Sequence, residues 1–357
     1  MAINLAIKYG PQIEQGFAHE SYVKNHCKAK IDFTGAKTVR IYELKTTPMN
    51  DYQRSGGSRY GKLEDVNDVV HEYTMSQDKS FTGVVDKGDE SEQTINNKAG
   101  QWLRQQIREQ AVPMADGYAL SRMVDFGKVV TISAEPTKSN IVSEIFKART
   151  WFNNHRVHSK ERVLFVQSRF IPDIMLSNEW IGLDSLAGKQ LPTGTVGKVA
   201  GFTVVEVPDS CFNANHFFTA VHSSAIAFPY KLNSTKIHTD PVGINGAVIE
   251  GRQLYDVFVL GSKADAVYSL VLQSAQQAKP TITDTNKKAV TLASDSAAAI
   301  YYTLDGSDPR FSMTREIYTA AFDATGKTLK TVAFGKNTAD TRKFTSEIVT
   351  KEIAEGE

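Results

Sequence analysis

Between residues 88 and 125, apolar side chains recur at three- and four-residue steps: Ile95, Ala99, Trp102, Leu103, Ile107, Ala111, Met114 and Tyr118. That period predicts an amphipathic helix. At 1.5 Å per residue, about 35 residues would span roughly 50 Å. Asp86, Asp89, Glu90 and Glu92 stand at its start, where the helix dipole favours acidic groups. Pro113 is expected to kink or interrupt the helix, with Val112 pushed out of helical geometry. Upstream, residues 38–44 and 69–76 read as β-strands. The stretch between them, Thr46 to Asp68, is too long for a hairpin turn. Its middle, Arg54-Ser55-Gly56-Gly57-Ser58-Arg59-Tyr60-Gly61, is a flexible, basic tip. From Lys37 to Lys62, six basic residues stand against Glu43 and Asp51, a net charge of +4. Long loops of this kind serve interaction. A long helix beside a two-stranded sheet buries itself poorly, so the pattern calls for packing between neighbours.

Residues 1–36 read as an N-terminal arm. Ile13, Phe17, Val23, Ile31 and Phe33 are scattered without a sustained period, and Lys24, His26, Lys28 and Lys30 cluster. So many apolar residues predict a segment that orders only on a partner chain. After residue 139 an α/β block begins. Ile141, Val142, Ile145, Phe146 and Phe152 mark a helix, with Ser139 as its expected N-cap. Residues 163–166 read as a buried strand, and Ser168 as the cap of a short helix ending at Leu176. Residues 196–207 read as strand, kink, strand, ended by Pro208. Residues 254–260 and 264–272 read as two final strands around a turn at Gly261-Ser262-Lys263. From Ser274 to Pro280 the composition becomes that of a polar linker. Residues 281–357 then offer short strands at 290–293, 299–304, 328–334 and 344–350. Turn signals such as Asp305-Gly306-Ser307-Asp308-Pro309 separate them, which is the pattern of a β-sandwich.

The 41 Lys+Arg residues nearly balance the 40 Asp+Glu, leaving +1, which argues against a dedicated nucleic-acid binder. The longest strongly apolar run, Val257-Phe258-Val259-Leu260, is far too short for a membrane-spanning helix. The N-terminus lacks the pattern of a secretory signal. Two cysteines, Cys27 and Cys211, exclude a disulfide framework and a cysteine zinc site, and suit a reducing cytoplasm. Catalytic signatures are near misses. Gly194-Thr195-Val196-Gly197-Lys198 approaches a phosphate loop, but Pro192 replaces the first glycine and Val199 the hydroxyl residue. His155 and His158 have a ligand-like gap without further ligands, and read as surface residues at a helix end. Asp305 and Asp308 read as turn residues, not calcium ligands. Cys27 has basic neighbours that would lower its pKa, yet nothing to make it a nucleophile. No catalytic residue, cofactor or metal is therefore expected.

The order of these elements resembles the major capsid protein of tailed bacteriophages, the Hong Kong 97-type fold, over residues 1–277. Arg108 to Tyr118, with Val112-Pro113-Met114-Ala115-Asp116-Gly117-Tyr118, looks like that family's late spine helix. Val196 to Pro208 is similar to its "G-x-x-x-GF-x-V" hairpin, and Leu254 to Leu260 to its returning strand. Residues 300–309 with 328–334 are similar to the immunoglobulin-like domain at the C-terminus of chitobiases and β-hexosaminidases, where that domain is not the catalytic part. The resemblance implies an α+β chain. Its parts are an arm (1–36), an extended loop and spine helix in a peripheral domain (37–138), an axial domain (139–253), strands returning to the peripheral domain (254–277), and an outward-facing immunoglobulin-like sandwich (281–357).

It further implies a non-enzymatic subunit that self-assembles as hexamers and pentamers into an icosahedral head enclosing double-stranded DNA. Assembly would take place in the bacterial host cytoplasm, with scaffolding and portal proteins as partners, and no membrane. The arm begins almost at Met1, which implies a separate scaffolding protein or a maturation step that left no trace. Host-surface glycans are a further implied partner of residues 281–357. Lys45 and Lys62 are available for the covalent cross-link some members make, though nothing around them marks it. Predicted inter-subunit contacts join Arg54, Arg59 and Lys62 of one copy to Asp86, Asp89, Glu90 and Glu92 of the next. The competing readings are an encapsulin-like compartment shell, a carbohydrate-binding or glycosidase-associated protein, and a monomeric adhesin. A glycosidase barrel would need a βα repeat that residues 1–277 lack.

Overall fold

The computed structural model describes residues 21–354 except 35, 45, 48, 56, 62–67, 88–97, 177–180, 183–194, 286–287 and 337–341. β1 (Thr38–Leu44) and β2 (Asp68–Thr74) pair antiparallel along their whole length, Thr38 opposite Thr74 and Leu44 opposite Asp68. β3 (Gln77–Asp86) follows. Then α1 (Lys98–Gln106) and α2 (Val112–Phe126) run as one helix through a π-helical turn, Ile107–Ala111. Contrary to expectation, Pro113 does not break it, and Val112 stays helical at φ −67°, ψ −51°. Proline supplies no N–H to the carbonyl four residues back. The widened turn just ahead absorbs that loss: the Val112 N–H donates five residues back, to the Ile107 carbonyl.

β4 (Lys128–Ile132) leads to α3 (Ile141–Asn154). The N-cap is Asn140 rather than Ser139; its Oδ1 accepts from the Thr137 N–H at 2.6 Å, so the side chain builds the preceding turn. β5 (Arg162–Gln167) follows, then α4 (Ile171–Met175). Ser168 caps nothing; its hydroxyl donates to the Val207 carbonyl. β6 (Ile181–Gly182), β7 (Thr195–Val199), β8 (Phe202–Val207) and β9 (His216–His222) come next. The expected kink between β7 and β8 is a two-residue turn, Ala200 and Gly201, both at positive φ. β10 (Ile226–Ala227), β11 (Tyr230–Thr239), β12 (Gly246–Tyr255), β13 (Phe258–Val259) and β14 (Val267–Leu272) complete this part.

A seven-stranded sheet, in the order β4-β14-β9-β5-β8-β7-β6, holds the centre. β5 is buried along its whole length. Val163 and Phe165 enter one apolar cluster, while Leu164 and Val166 enter another. Alternating side chains therefore feed two cores, and the strand reads as a continuous apolar run. The first core also takes the spine helix through Leu103, Ile107, Ala115, Ala119, Leu120 and Met123. A second sheet, β11-β12-β3, lies against the helix start, where a Cβ on Gly83 would fall 2.5 Å from the Trp102 ring.

Two expectations fail here. Residues 261–266 form a 3-10 segment, and β14 enters the central sheet between β4 and β9. Val267, Leu270 and Val271 are apolar toward both faces, which suits a central strand. Residues 254–277 thus divide among three sheets: Leu254 and Tyr255 end β12, β13 pairs with β10, and β14 lies in the central sheet. Nor does all of the arm wait for a partner. Val23, Ile31 and Phe33 are buried in the first core of their own chain, and Phe33 stacks on Phe258 at 5.4 Å.

The tail comprises β15 (Thr281–Thr283) paired with β16 (Thr291–Ala293), and a four-stranded sheet. The latter holds β17 (Ala297–Thr303), β18 (Glu316–Ile317), β19 (Thr328–Gly335) and β20 (Val349–Glu352), in the order β18-β17-β19-β20. Val290, Leu292, Tyr302, Ala324, Leu329 and Ile353 form its core, with Tyr302 stacked on Phe322 at 4.0 Å. The two sheets make an immunoglobulin-like sandwich.

Candidate assembly surfaces and the docked tail

The end of β1 and the loop beyond it carry exposed apolar side chains. Tyr42, Leu44, Met49, Tyr52 and Tyr60 are all more than half exposed, Met49 completely. Arg54 and Arg59 stand exposed among them. The loop has local order of its own: Tyr52 meets Tyr60 edge-on at 5.1 Å, and the Gln53 N–H donates to the Arg59 carbonyl. Asp86 lies exposed at the end of β3. Lys45, Lys62, Asp89, Glu90 and Glu92 fall outside the described residues.

The sequence motifs meet one another in space. Asp116 on the spine helix accepts from the Ser21 hydroxyl at 2.5 Å and the Tyr22 N–H at 2.9 Å, anchoring the arm. The Tyr118 hydroxyl donates to Asp256 Oδ1 at 2.7 Å. The other oxygen of Asp256 accepts from the Ser76 N–H and hydroxyl, so one buried carboxylate joins helix, hairpin and returning strand. Among the near misses, His155 stacks on Trp151 at 3.7 Å and Asp308 pairs with Arg310. Burial pushes the Cys27 thiol up, against the expected lowering. Among the described residues no group of three or more His, Cys, Asp or Glu is placed to hold a metal.

Sequence reasoning missed the docking of the tail. The expected linker is fixed: the Gln277 N–H donates to the Phe344 carbonyl, and the Phe344 N–H to the Ala275 carbonyl. Phe344 is fully buried among Val124, Val129, Val271 and Ala275. Arg342 bonds Asp125 at 2.5 Å, and Arg310 donates to the Gly127 carbonyl at 2.7 Å. Phe126, at the helix end, lies between Phe311 at 5.5 Å and Phe334 at 5.8 Å. The tail also reaches the hairpin. The Glu72 N–H donates to the Phe311 carbonyl, and the Met313 N–H to the Val70 carbonyl. Residues 311–313 thereby extend the β1-β2 sheet at its β2 edge.

A family model described as the chitobiase/beta-hexosaminidase C-terminal domain matches residues 280–345. No curated protein matches the chain. Among solved structures, one from Mycobacterium phage Che8 superposes with a TM-score of 0.55 at 18% identity, covering 69% of this chain and 89% of its own. The mature capsid of bacteriophage PhiM1 gives 0.53 at 14%, covering 72% and 86%. The capsid of cyanophage P-SCSP1u gives 0.51 at 10%, covering 69% and 85%. The chain has the phage capsid fold. It is the Hong Kong 97-type architecture that the sequence resembles, with an immunoglobulin-like tail.

Within this capsid fold, two buried histidines are held neutral. Burial lowers His26 to about 4 and His216 to about 3, against 6.5 in water. The stability that their neutral burial contributes is complete above pH 6.5 and is lost as pH falls through that value toward 4. For His26 the difference is worth about 3 kcal/mol. Asp116 acts oppositely: burial raises it to about 6, above the ordinary 3.8, so its contribution is largest below 3.8 and is lost as pH rises through 6. Two histidines against one carboxylate leave a net loss in acid. The melting temperature of the dispersed subunit should fall between pH 6.5 and 4.5, and His216→Leu should lessen the fall. An unchanged pH profile in that variant would exclude His216 as a cause.

Proposed function

We propose that this chain is the major capsid protein of a tailed bacteriophage, assembling as hexamers and pentamers into an icosahedral head around double-stranded DNA. The observation that carries the reading is the exposed apolar and basic surface of the β1 end and its loop on a capsid fold: Tyr42 and Leu44 of the strand, Met49, Tyr52 and Tyr60 of the loop, with Arg54 and Arg59. One chain leaves this surface uncovered, and a second copy of the chain would cover it. In this reading the loop lies over the neighbouring copy and meets Asp86, Asp89, Glu90 and Glu92, in keeping with charge complementarity. The subunit acts as structure, not as an enzyme. The near-neutral charge suits an inner face that meets packaged DNA without reading its sequence. Scaffolding and portal proteins would be its assembly partners in the bacterial host cytoplasm. The tail, facing outward, would be the part exposed to host-surface glycans.

Expression of the full chain with a scaffolding protein, followed by sedimentation and negative-stain microscopy, tests the reading. Closed shells, or rings of five and six subunits, are expected. A monomer that stays dispersed with scaffold present would overturn it. Arg54→Glu with Arg59→Glu should leave the subunit folded and its melting temperature within about 2 °C of wild type, since exposed charges contribute little, yet reduce shell yield at least tenfold. Normal shells from this double variant would sink the proposed loop contact.

A further inference from the structure

The hairpin, the spine helix and the tail meet around a cavity of about 110 Å³. Its walls include Phe126, Phe258 and Phe311 together with three arginines, Arg122, Arg310 and Arg315. One carboxylate, Glu72, also lines the cavity, and each carboxylate at or near it has a partner of its own. Asp308 holds Arg310 in a two-point pair, and Glu72 holds Arg40 at 3.0 Å. Asp256 lies 3.9 Å from Arg122 Nε, but it already accepts from the Ser76 N–H and hydroxyl, the Tyr118 hydroxyl and the Val257 N–H. A carboxylate has about four lone-pair sites, so Asp256 gives Arg122 a charge contact at 3.9 Å but no hydrogen bond.

Arg122 donates one long bond, 3.4 Å from Nε to the Val257 carbonyl, and its guanidinium lies 4.2 Å from the centre of the Phe126 ring. Arg315 donates from Nη1 to the Arg310 carbonyl and forms no ion pair among the described residues. Each guanidinium has five N–H donors, so most of those on Arg122 and Arg315 remain unspent. The aromatic walls strengthen any charge interaction inside, because they displace water.

We propose that this cavity is an oxyanion socket, with Arg122 and Arg315 as its principal donors and Arg310 as a paired third cation. A space of that volume takes one carboxylate or phosphate group. Planar guanidinium forks suit such groups. Two sources share this chemistry: a free anion such as inorganic phosphate, and an acidic side chain from a second copy of this chain. The second source rests on the proposed shell assembly; the socket itself does not. The walls come from four separate parts of the chain, the hairpin, the helix, β13 and the tail, so a bound anion would tie the tail to the other three.

Titration of the dispersed, full-length subunit with inorganic phosphate, at constant ionic strength, tests this by calorimetry. One saturable site per chain is expected, weakened at least tenfold by Arg315→Gln. Arg315 is exposed, so the variant should fold normally. Lys279→Gln, which removes an exposed cation that pairs with Glu347, should leave the affinity unchanged. No saturable binding by the wild-type subunit, or equal binding by Arg315→Gln, would overturn the socket. Assembled shells separate the two sources. If a neighbour's carboxylate fills the socket, shells take up no phosphate; if the natural ligand is a free anion, shells still bind one per chain. Failure of the chain to form shells at all would overturn the assembly reading while leaving the subunit titration decisive for the socket.

Discussion

Phe344→Ala is expected to release the tail from the spine helix while leaving the tail's own core intact. Phe344 is fully buried, but its neighbours are Val124, Val129, Val271 and Ala275, none of which lies in the sandwich core built on Val290, Leu292 and Leu329. Truncation removes the transfer energy of the ring and leaves a cavity, at a typical cost of about 3–5 kcal/mol. The Arg342–Asp125 pair and the backbone bonds at Ala275 and Gln277 would remain. They are too few to replace an apolar plug of that size. The measurement is hydrogen exchange at residues 275–277, with limited proteolysis between 274 and 280. Both should accelerate strongly, and thermal unfolding should split into two transitions. Unchanged protection at 275–277 would show that polar contacts alone hold the tail.

Phe311→Ala should loosen the β1-β2 hairpin without releasing the tail as a whole. Two strands alone are marginal in water. Here residues 311–313 supply a third backbone segment, and Phe311 anchors it, 3% exposed, with its ring 5.9 Å from His71 and 5.5 Å from Phe126. Loss of the ring should raise exchange at the Glu72 and Met313 amides at least tenfold. The amides of β5 in the central sheet should stay protected. The hairpin is also held at its base, where Tyr73 accepts from the Gly261 N–H and meets Phe258 at 5.5 Å, so loosening should grow toward the loop tip. Equal exchange in wild type and variant would mean that the base alone sets the hairpin's position. In an assembling subunit this matters, because the same hairpin carries the loop proposed to reach the neighbour.

Much of the fold was legible in local patterns. The three-to-four-residue period placed the long helix. β-branched and aromatic runs placed β1, β2 and β5. Positive-φ residues at a strand–strand junction made the β7-β8 turn. What misled was equally local. Pro113 predicted a break because proline removes a donor, but a π turn absorbs that loss only within the folded helix. The arm looked unable to order alone because it carries many apolar residues with no periodic face to pack them. Irregular segments pack by filling gaps rather than by presenting a face, and Val23, Ile31 and Phe33 do so.

The candidate surface divides in the same way. A basic, glycine-rich loop is visible in one dimension, because length, charge and turn residues are local properties. The tail's junction is not. Ser274 to Pro280 has the composition of a linker, and its partner Phe344 lies far along the chain. The arginine-lined cavity draws Arg122 from the helix and Arg310 and Arg315 from the tail, with nothing in their spacing to join them. Periodicity and residue type alone determined the long helix, α3, strands β1, β2 and β5 and the exposed loop, because those depend on backbone preference and amphipathic repeat; β3, β4, β9 and β11 were not legible in this way. Which surfaces meet, and so where the tail sits and which charges face a common space, only the tertiary structure decided, because packing joins residues by shape across any separation in sequence.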